Sequence, residues 1–247
     1  DLLAADIATD SSASDSSGDD SSGGDSSGGD SSGGDPSSGG GVFPVRRTFD
    51  PYFSHSWASG FSEFASGNNQ ESSSEAVTAW AGLRLWADAS GNGPLASEAA
   101  WMQSAEAASA LAYWVDPALT GEQFQGFQRD MVSLNWGGKR DFATWFSAEP
   151  SAVIGIQLIP MSPSSGYLAG AGSGGTLRIT TLSDAALGAG PAASLSDYAL
   201  MYRALAGASA AQDALTEARR IPQTVIDNGN SRTYLLAYIM SAAGRAS

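Results

Sequence analysis

Two glutamates four residues apart, Glu71 and Glu75, stand in the polar string Asn68-Asn69-Gln70-Glu71-Ser72-Ser73-Ser74-Glu75. On a helix this spacing turns the two carboxylates only about 40° from one another, so both share one face. Like charges so placed cost roughly 0.2–0.5 kcal/mol, which gives a helix no stability reason to choose them. A first-turn position supplies an ordinary reason, because carboxylates there favour the helix dipole and cap free N–H groups. The chemical reading is glycoside hydrolysis, which needs two carboxyl groups across the scissile bond, one protonated and one ionised. Glu71 and Glu75 supply the ionised member. Asn68, Asn69, Gln70 and Ser72 suit sugar hydroxyls, and equally a polar loop leading into a helix.

The only histidine, His55, lies in Asp50-Pro51-Tyr52-Phe53-Ser54-His55-Ser56-Trp57-Ala58-Ser59-Gly60. An indole face stacks on pyranose C–H groups while an imidazole hydrogen-bonds hydroxyls, so His55 and Trp57 suit a sugar site. A buried histidine satisfied by its neighbours is the plainer alternative. Asn135-Trp136-Gly137-Gly138-Lys139-Arg140 reads as a surface loop in an irregular, aromatic-rich stretch from Gly121 to Met161. Loops of this kind carry function. Other chemistries fail, since there is no Gly-x-Ser-x-Gly elbow, no nucleophile motif to join His55 in a triad, and no Walker loop.

Positioning these residues falls to helices. Ala76, Val77, Trp80, Leu83 and Ala87 recur at three- and four-residue intervals, with Ser72 to Ser74 near the start and Gly91 beyond the end. A second helix is expected from about Leu95 to Trp114, with Ser97 able to cap it, Pro94 before it and Asp116-Pro117 ending it. Further helices are expected around Ser196–Ala206, Ala208–Ile221 and Ser231–Ala243. Leu168 to Gly175 reads as a turn region and Leu177 to Thr181 as a short strand. The predicted class is mainly α, over a domain spanning 42–247.

Residues 1–41 differ from the rest. They hold nine Asp and no Lys or Arg, with a five-residue repeat at Asp20, Asp25, Asp30 and Asp35. This composition predicts a disordered, self-repelling Asp/Ser/Gly linker. A calcium-binding repeat is the sharper alternative, but the apolar residue that β-roll repeats bury is missing.

The whole chain carries −14, of which −5 falls after residue 41, and it has only 12 Lys and Arg. That balance argues against nucleic acid and leaves a neutral polymer acceptable. With no cysteine and one histidine, there is no disulfide framework and no thiolate or histidine-cluster metal site. No run approaches the roughly 20 apolar residues of a membrane span. The first residue is Asp, so the chain reads as processed or as a fragment, and Leu2-Leu3-Ala4-Ala5 suits the remnant of an export signal.

Taken in order, the motifs resemble glycoside hydrolase family 81, the endo-β-1,3-glucanases. Phe49-Asp50-Pro51-Tyr52 with His55-Ser56-Trp57-Ala58-Ser59-Gly60 is similar to one family segment, and Gly67-Asn68-Asn69-Gln70-Glu71-Ser72-Ser73-Ser74-Glu75 to its Gln-Glu-Ser-(Ser/Thr)-Ser-Glu signature. The likeness continues through Leu134–Asp141, Trp145-Phe146, Glu149-Pro150, Ile159–Pro163 and Asp227–Ser231. The resemblance implies an inverting cut of internal β-1,3-glucosidic bonds without metal or organic cofactor, in a cleft on an (α/α)6 toroid of which this chain is the C-terminal half. It implies a water-activating role for Glu71, a supporting role for Glu75, and subsite roles for His55, Trp57, Asn69, Gln70 and Trp136. The implied partner is β-1,3-glucan, with neither nucleic acid nor membrane, and the implied location is extracellular.

Two departures matter. Ser54 stands where the family usually has Gly, which puts a side chain into a tight segment beside His55. The family's general acid is an Asp in an upstream motif that this chain lacks, so the expectation is a fragment awaiting an N-terminal portion of the enzyme. The rival readings are a non-catalytic β-1,3-glucan-binding module or inactive fragment, and a helical interaction domain with no carbohydrate role.

Overall fold

The structure, a computed structural model, describes residues 46, 48–58, 64–170, 175–188, 190 and 193–245. The chain divides into two units, Asp1–Arg47 and Thr48–Ser247, and the second is considered below. The expected linker over 1–41 and the expected onset of the fold at residue 42 lie outside the described residues, as do Ser59 and Gly60.

The unit is mainly α, as expected, with short strands where the candidate residues sit. Strands β1 (Phe49–Asp50) and β2 (His55–Ser56) form a tight antiparallel hairpin in which Phe49 faces Ser56 and Asp50 faces His55. Asp50 closes its turn by accepting the Tyr52 and Phe53 amides on Oδ1, at 2.9 and 3.3 Å. The turn leaves Ser54 at φ 61°, in the left-handed region where glycine is at ease.

Strands β3 (Asn69–Gln70), β4 (Leu134–Trp136) and β5 (Arg140–Asp141) make an antiparallel sheet in that order, pairing Asn69 with Trp136 and Gln70 with Asn135. Asn135-Trp136-Gly137-Gly138-Lys139-Arg140 is therefore a β-hairpin, more ordered than the loop its composition suggests. Gly67 lies so close to this hairpin's turn that an added Cβ would stand 3.2 Å from the Gly137 Cα, and its φ is 85°. The close approach lets the Gly137 and Gly138 amides bond to the Asn68 and Ser66 carbonyls at 2.9 and 2.8 Å.

Helix α1 (Ser73–Ala89) buries Ala76, Val77, Trp80, Leu83 and Ala87, the stripe that the spacing predicts. Its partner α2 (Gly93–Ala110) starts with Asn92, whose side chain accepts the Leu95 amide, so Asn92 rather than Ser97 is the cap. The two helices pack as a hairpin around Phe49, Trp80, Leu83, Ala99 and Met102. The helical segment ends at Val115, one residue past the expected Trp114, but its hydrogen bonding changes on the way: the α-helix gives way after Ala110 to a π-helical turn, Leu111–Val115. Such turns recur at functional sites; this one buries Trp114 completely and leaves Tyr113 half-exposed beside the sheet.

The remaining helices are α3 (Pro150–Gly155), α4 (Tyr167–Gly170), α5 (Gly175–Leu187), α6 (Ser196–Arg203), α7 (Ala208–Ala218) and α8 (Arg232–Arg245). Consecutive helices pack as neighbours from α5 through α8, as in part of an (α/α)6 toroid, around a core that includes Ile154, Leu158, Ile179, Leu182, Met201 and Ile239. The expected strand at Leu177–Thr181 is overturned, since these residues lie within α5. Ile179, Thr180 and Thr181 favour a strand locally, but burial of Ile179, Leu182, Ser183 and Ala186 at helical spacing wins. The expected turn at 168–175 is likewise corrected at both ends, where Leu168 lies in α4 and Gly175 opens α5. Among the described residues, no helix is long and apolar enough to cross a membrane.

Candidate active site

Glu71 does not share a helix with Glu75. It occupies the two-residue link between β3 and α1, while Glu75 lies exposed in the first turn of α1. The link is pinned from three directions. The Glu71 amide donates to Gln70 Oε1 at 3.1 Å, its carbonyl accepts from Gln157 Nε2, and its carboxylate Oε1 accepts the Trp145 amide at 3.2 Å. Gln157 is itself buried and fixed, accepting the Ser73 hydroxyl at 2.7 Å and donating to the Ser133 carbonyl at 2.8 Å.

Partial burial raises the Glu71 pKa above the usual carboxylate range. The Trp145 amide opposes that shift, and the charge of Glu75 adds to it. The result is a half-buried carboxylate with a favoured orientation and more basicity than an exposed one.

Trp145, whose amide holds this carboxylate, belongs to an aromatic cluster. Trp145 is 60% exposed and lies 5.6 Å from the Trp136 ring, with Phe64 5.4 Å from Trp136 and 6.1 Å from Trp145. Trp136 is held by a 2.9 Å bond from its Nε1 to Asp141, and Lys139 sits 4.9 Å over its ring. Trp136 belongs equally to an open trough of about 450 Å³, walled by Phe53, Trp57, Tyr113, Phe124 and Phe127 and carrying Asn135 and Arg140 as polar groups. Arg140 is placed by a 3.2 Å bond to Asn135 and by the rings of Phe124 and Tyr113. Apolar faces with a few fixed polar groups are what a sugar site requires.

The other expected subsite residues are more deeply set. His55 has no exposed surface. Its Nδ1 donates to the Ser56 carbonyl at 2.9 Å, and its ring packs on Trp57, Trp114, Tyr113 and Phe53. Burial lowers its pKa despite the Ser56 bond and Asp50, so the imidazole is neutral, and among the described residues its Nε2 has no partner. Gln70 donates to the Ser56 carbonyl at 3.0 Å, and Asn69 accepts the Ala58 amide on its carbonyl at 2.7 Å; both are buried in β3. Trp57 alone of this group lines the trough, held by Asp50 through a 3.1 Å indole bond.

Sequence reasoning missed four residues. Trp145 and Gln157 act on Glu71 from 74 and 86 positions away, and Arg140 was seen only as loop. Glu106 is fully buried behind β2, where its carboxylate accepts the Ser56 amide at 2.9 Å, the Ser56 hydroxyl at 2.8 Å and the Trp80 indole at 3.1 Å. Burial, only partly offset by these donors, pushes its pKa up to about 7. The sequence does carry a signal for Glu106, since it falls on the apolar stripe of α2 four residues after Met102.

Residues 31–236 match the family described as glycosyl hydrolase family 81 C-terminal domain. A glucan endo-1,3-β-D-glucosidase of Acetivibrio thermocellus is 40% identical over 127 residues, and one of Thermobifida fusca 36% over 127; each match covers 51% of this chain and 16% of the relative. A glucan endo-1,3-β-D-glucosidase of Glycine max is 38% identical over 124 residues, covering 48% of this chain and 18% of that protein. Among solved structures, a family 81 glycoside hydrolase of Clostridium thermocellum, in a variant with one glutamate changed to alanine, superposes with a TM-score of 0.66 at 27% identity. That superposition covers 81% of this chain and 27% of the solved one. The chain therefore spans a minor part of these relatives' length, and on the family match, which takes in the strands and helices around Glu71, it belongs to glycoside hydrolase family 81 as a C-terminal domain.

Proposed function

We propose that this chain supplies the glucan cleft and the water-activating carboxylate, Glu71, of an inverting endo-β-1,3-glucanase. The observation that carries the reading is a half-buried carboxylate held by a main-chain amide against an aromatic cluster that continues, through Trp136, into the trough. The substrate class comes from the relatives named glucan endo-1,3-β-D-glucosidase. Trp57 and Trp136 stack on the glucan, and Asn135 and Arg140 meet its hydroxyls. His55, Asn69 and Gln70, set behind them, hold the walls. Glu75, by its charge, raises the basicity of Glu71 while disfavouring its ionised form. An insoluble polymer is met outside the cell, so secretion accompanies this proposal.

The proton for the leaving oxygen comes from a carboxyl group beyond the described residues. An inverting pair stands roughly 6.5–9.5 Å apart across the scissile bond; among the described residues no Asp or Glu lines the trough, and Glu71 adjoins it only through the Trp145 and Trp136 rings. Asp50 is engaged as a turn closure and as the acceptor of the Trp57 indole. The same acid-free lining favours the second reading, a glucan-binding module without catalysis.

Titration calorimetry with laminarihexaose tests the cleft. Trp57→Ala is expected to weaken binding about tenfold, the consequence of losing a buried aromatic face. Unchanged affinity in a folded Trp57→Ala protein overturns the cleft assignment.

A further inference from the structure

The amide that holds Glu71 belongs to a turn with little packing of its own. Trp145 and Phe146 are each 60% exposed, so burial of their side chains does not fix the main chain between them. Beside the Trp145 ring's contacts with Trp136 and Phe64, what fixes it is Thr144. Thr144 Oγ1 accepts the Ser147 amide at 2.9 Å and the Phe146 amide at 3.4 Å, and donates to the Ser147 carbonyl at 2.8 Å. The Thr144 amide adds a 3.1 Å bond to the same carbonyl. With the amides of 146 and 147 turned inward to Thr144, the Trp145 amide is the one directed at the Glu71 carboxylate, 3.2 Å away.

We propose that Thr144 is a positioning residue for Glu71, its hydroxyl setting the 144–147 turn that aims the Trp145 amide at the carboxylate. This rests on Glu71 being the water-activating group. A hydrogen bond donated to a carboxylate favours its charged form and fixes which oxygen lone pair remains for water. The charged group acting on Glu71 is Glu75, whose repulsion works the other way. Without the turn, Glu71 keeps the repulsion and the desolvation and loses the donor that opposes them. It then holds a proton to higher pH and is less often available as a base. The Trp145 indole sits on the same residue, so a sugar stacked there bears on the turn that orients the carboxylate.

The experiment is a carbon-13 titration of glutamate side-chain carboxyls in the full chain, with the Glu71 signal assigned by its absence in Glu71→Gln. Parent, Thr144→Val and Thr144→Ser are compared; valine keeps the shape and removes the hydroxyl, whereas serine restores it. The expected result is an upward shift of the Glu71 midpoint in Thr144→Val and the parent midpoint in Thr144→Ser. If Thr144→Val fails to fold, Thr144→Ala takes its place with the same expectation. A parent-like Glu71 midpoint in the folded hydroxyl-free variant overturns the inference. This readout does not depend on turnover, so it is separable from the base assignment, which fails only if Glu71→Gln leaves hydrolysis of an activated laminarioside unchanged.

Discussion

Replacing Glu106 by Gln separates a pH effect built into the fold from everything else that titrates. Glu106 is fully buried with no cation among its bonded partners in the described residues, and its pKa is raised from 4.5 to about 7 by burial. Below pH 4.5 the folded and unfolded states both hold the proton, and no penalty exists. Between 4.5 and about 7 the unfolded chain has released its proton while the folded chain keeps it, so stability falls as pH rises. Above about 7 the penalty is complete, and the rise corresponds to about 3 kcal/mol. Glutamine is nearly isosteric with the protonated acid and keeps an acceptor for the Ser56 hydroxyl and the Trp80 indole. Urea unfolding of parent and Glu106→Gln from pH 4.5 to 8 should therefore show the parent losing about 3 kcal/mol more than the variant across that window. Parallel pH profiles for the two proteins refute the assignment of a strained carboxylate behind β2.

Ser54→Gly should stabilise the hairpin by about 0.5 kcal/mol, the relief of a left-handed serine less the greater chain entropy of glycine; a lower urea midpoint would count against it. Gln157→Leu should cost about 3 kcal/mol, because the Glu71 and Ser133 carbonyls and the Ser73 hydroxyl lose their buried partner. Urea unfolding measures this, and a near-neutral result would mean that Gln157 does not fix the Glu71 link.

The helices were legible because their burial repeats at three and four residues, as in Ala76, Val77, Trp80, Leu83 and Ala87. The sheet was not, since strands of two or three residues show no alternation to read. The same limit misplaced Glu71. A run of polar residues before an apolar stripe marks a helix start only within a few positions, and here the helix begins at Ser73, two residues beyond Glu71. The motif drew attention to Glu71, which the structure places in the link before the helix, while its spacing implied the wrong geometry. Residue types also said that His55 and Trp57 belong together, which they do at 4.4 Å between ring centroids, but not that the imidazole is enclosed and the indole open to the trough. Contacts such as Ser56 with Glu106, fifty positions apart, exist only once the chain has folded.

Glu71 as the water-activating group, with the acid elsewhere, is put to the test by an activated substrate. A 2,4-dinitrophenyl β-laminarioside has a leaving group that departs without protonation, so it bypasses general acid catalysis, a contribution of about 10²–10⁴-fold on ordinary glucan. The purified chain is expected to hydrolyse this substrate with inversion and laminarin very slowly or not at all, and Glu71→Gln to abolish the former. Equal rates for parent and Glu71→Gln on the activated substrate, or robust laminarin turnover by the chain alone, would contradict it.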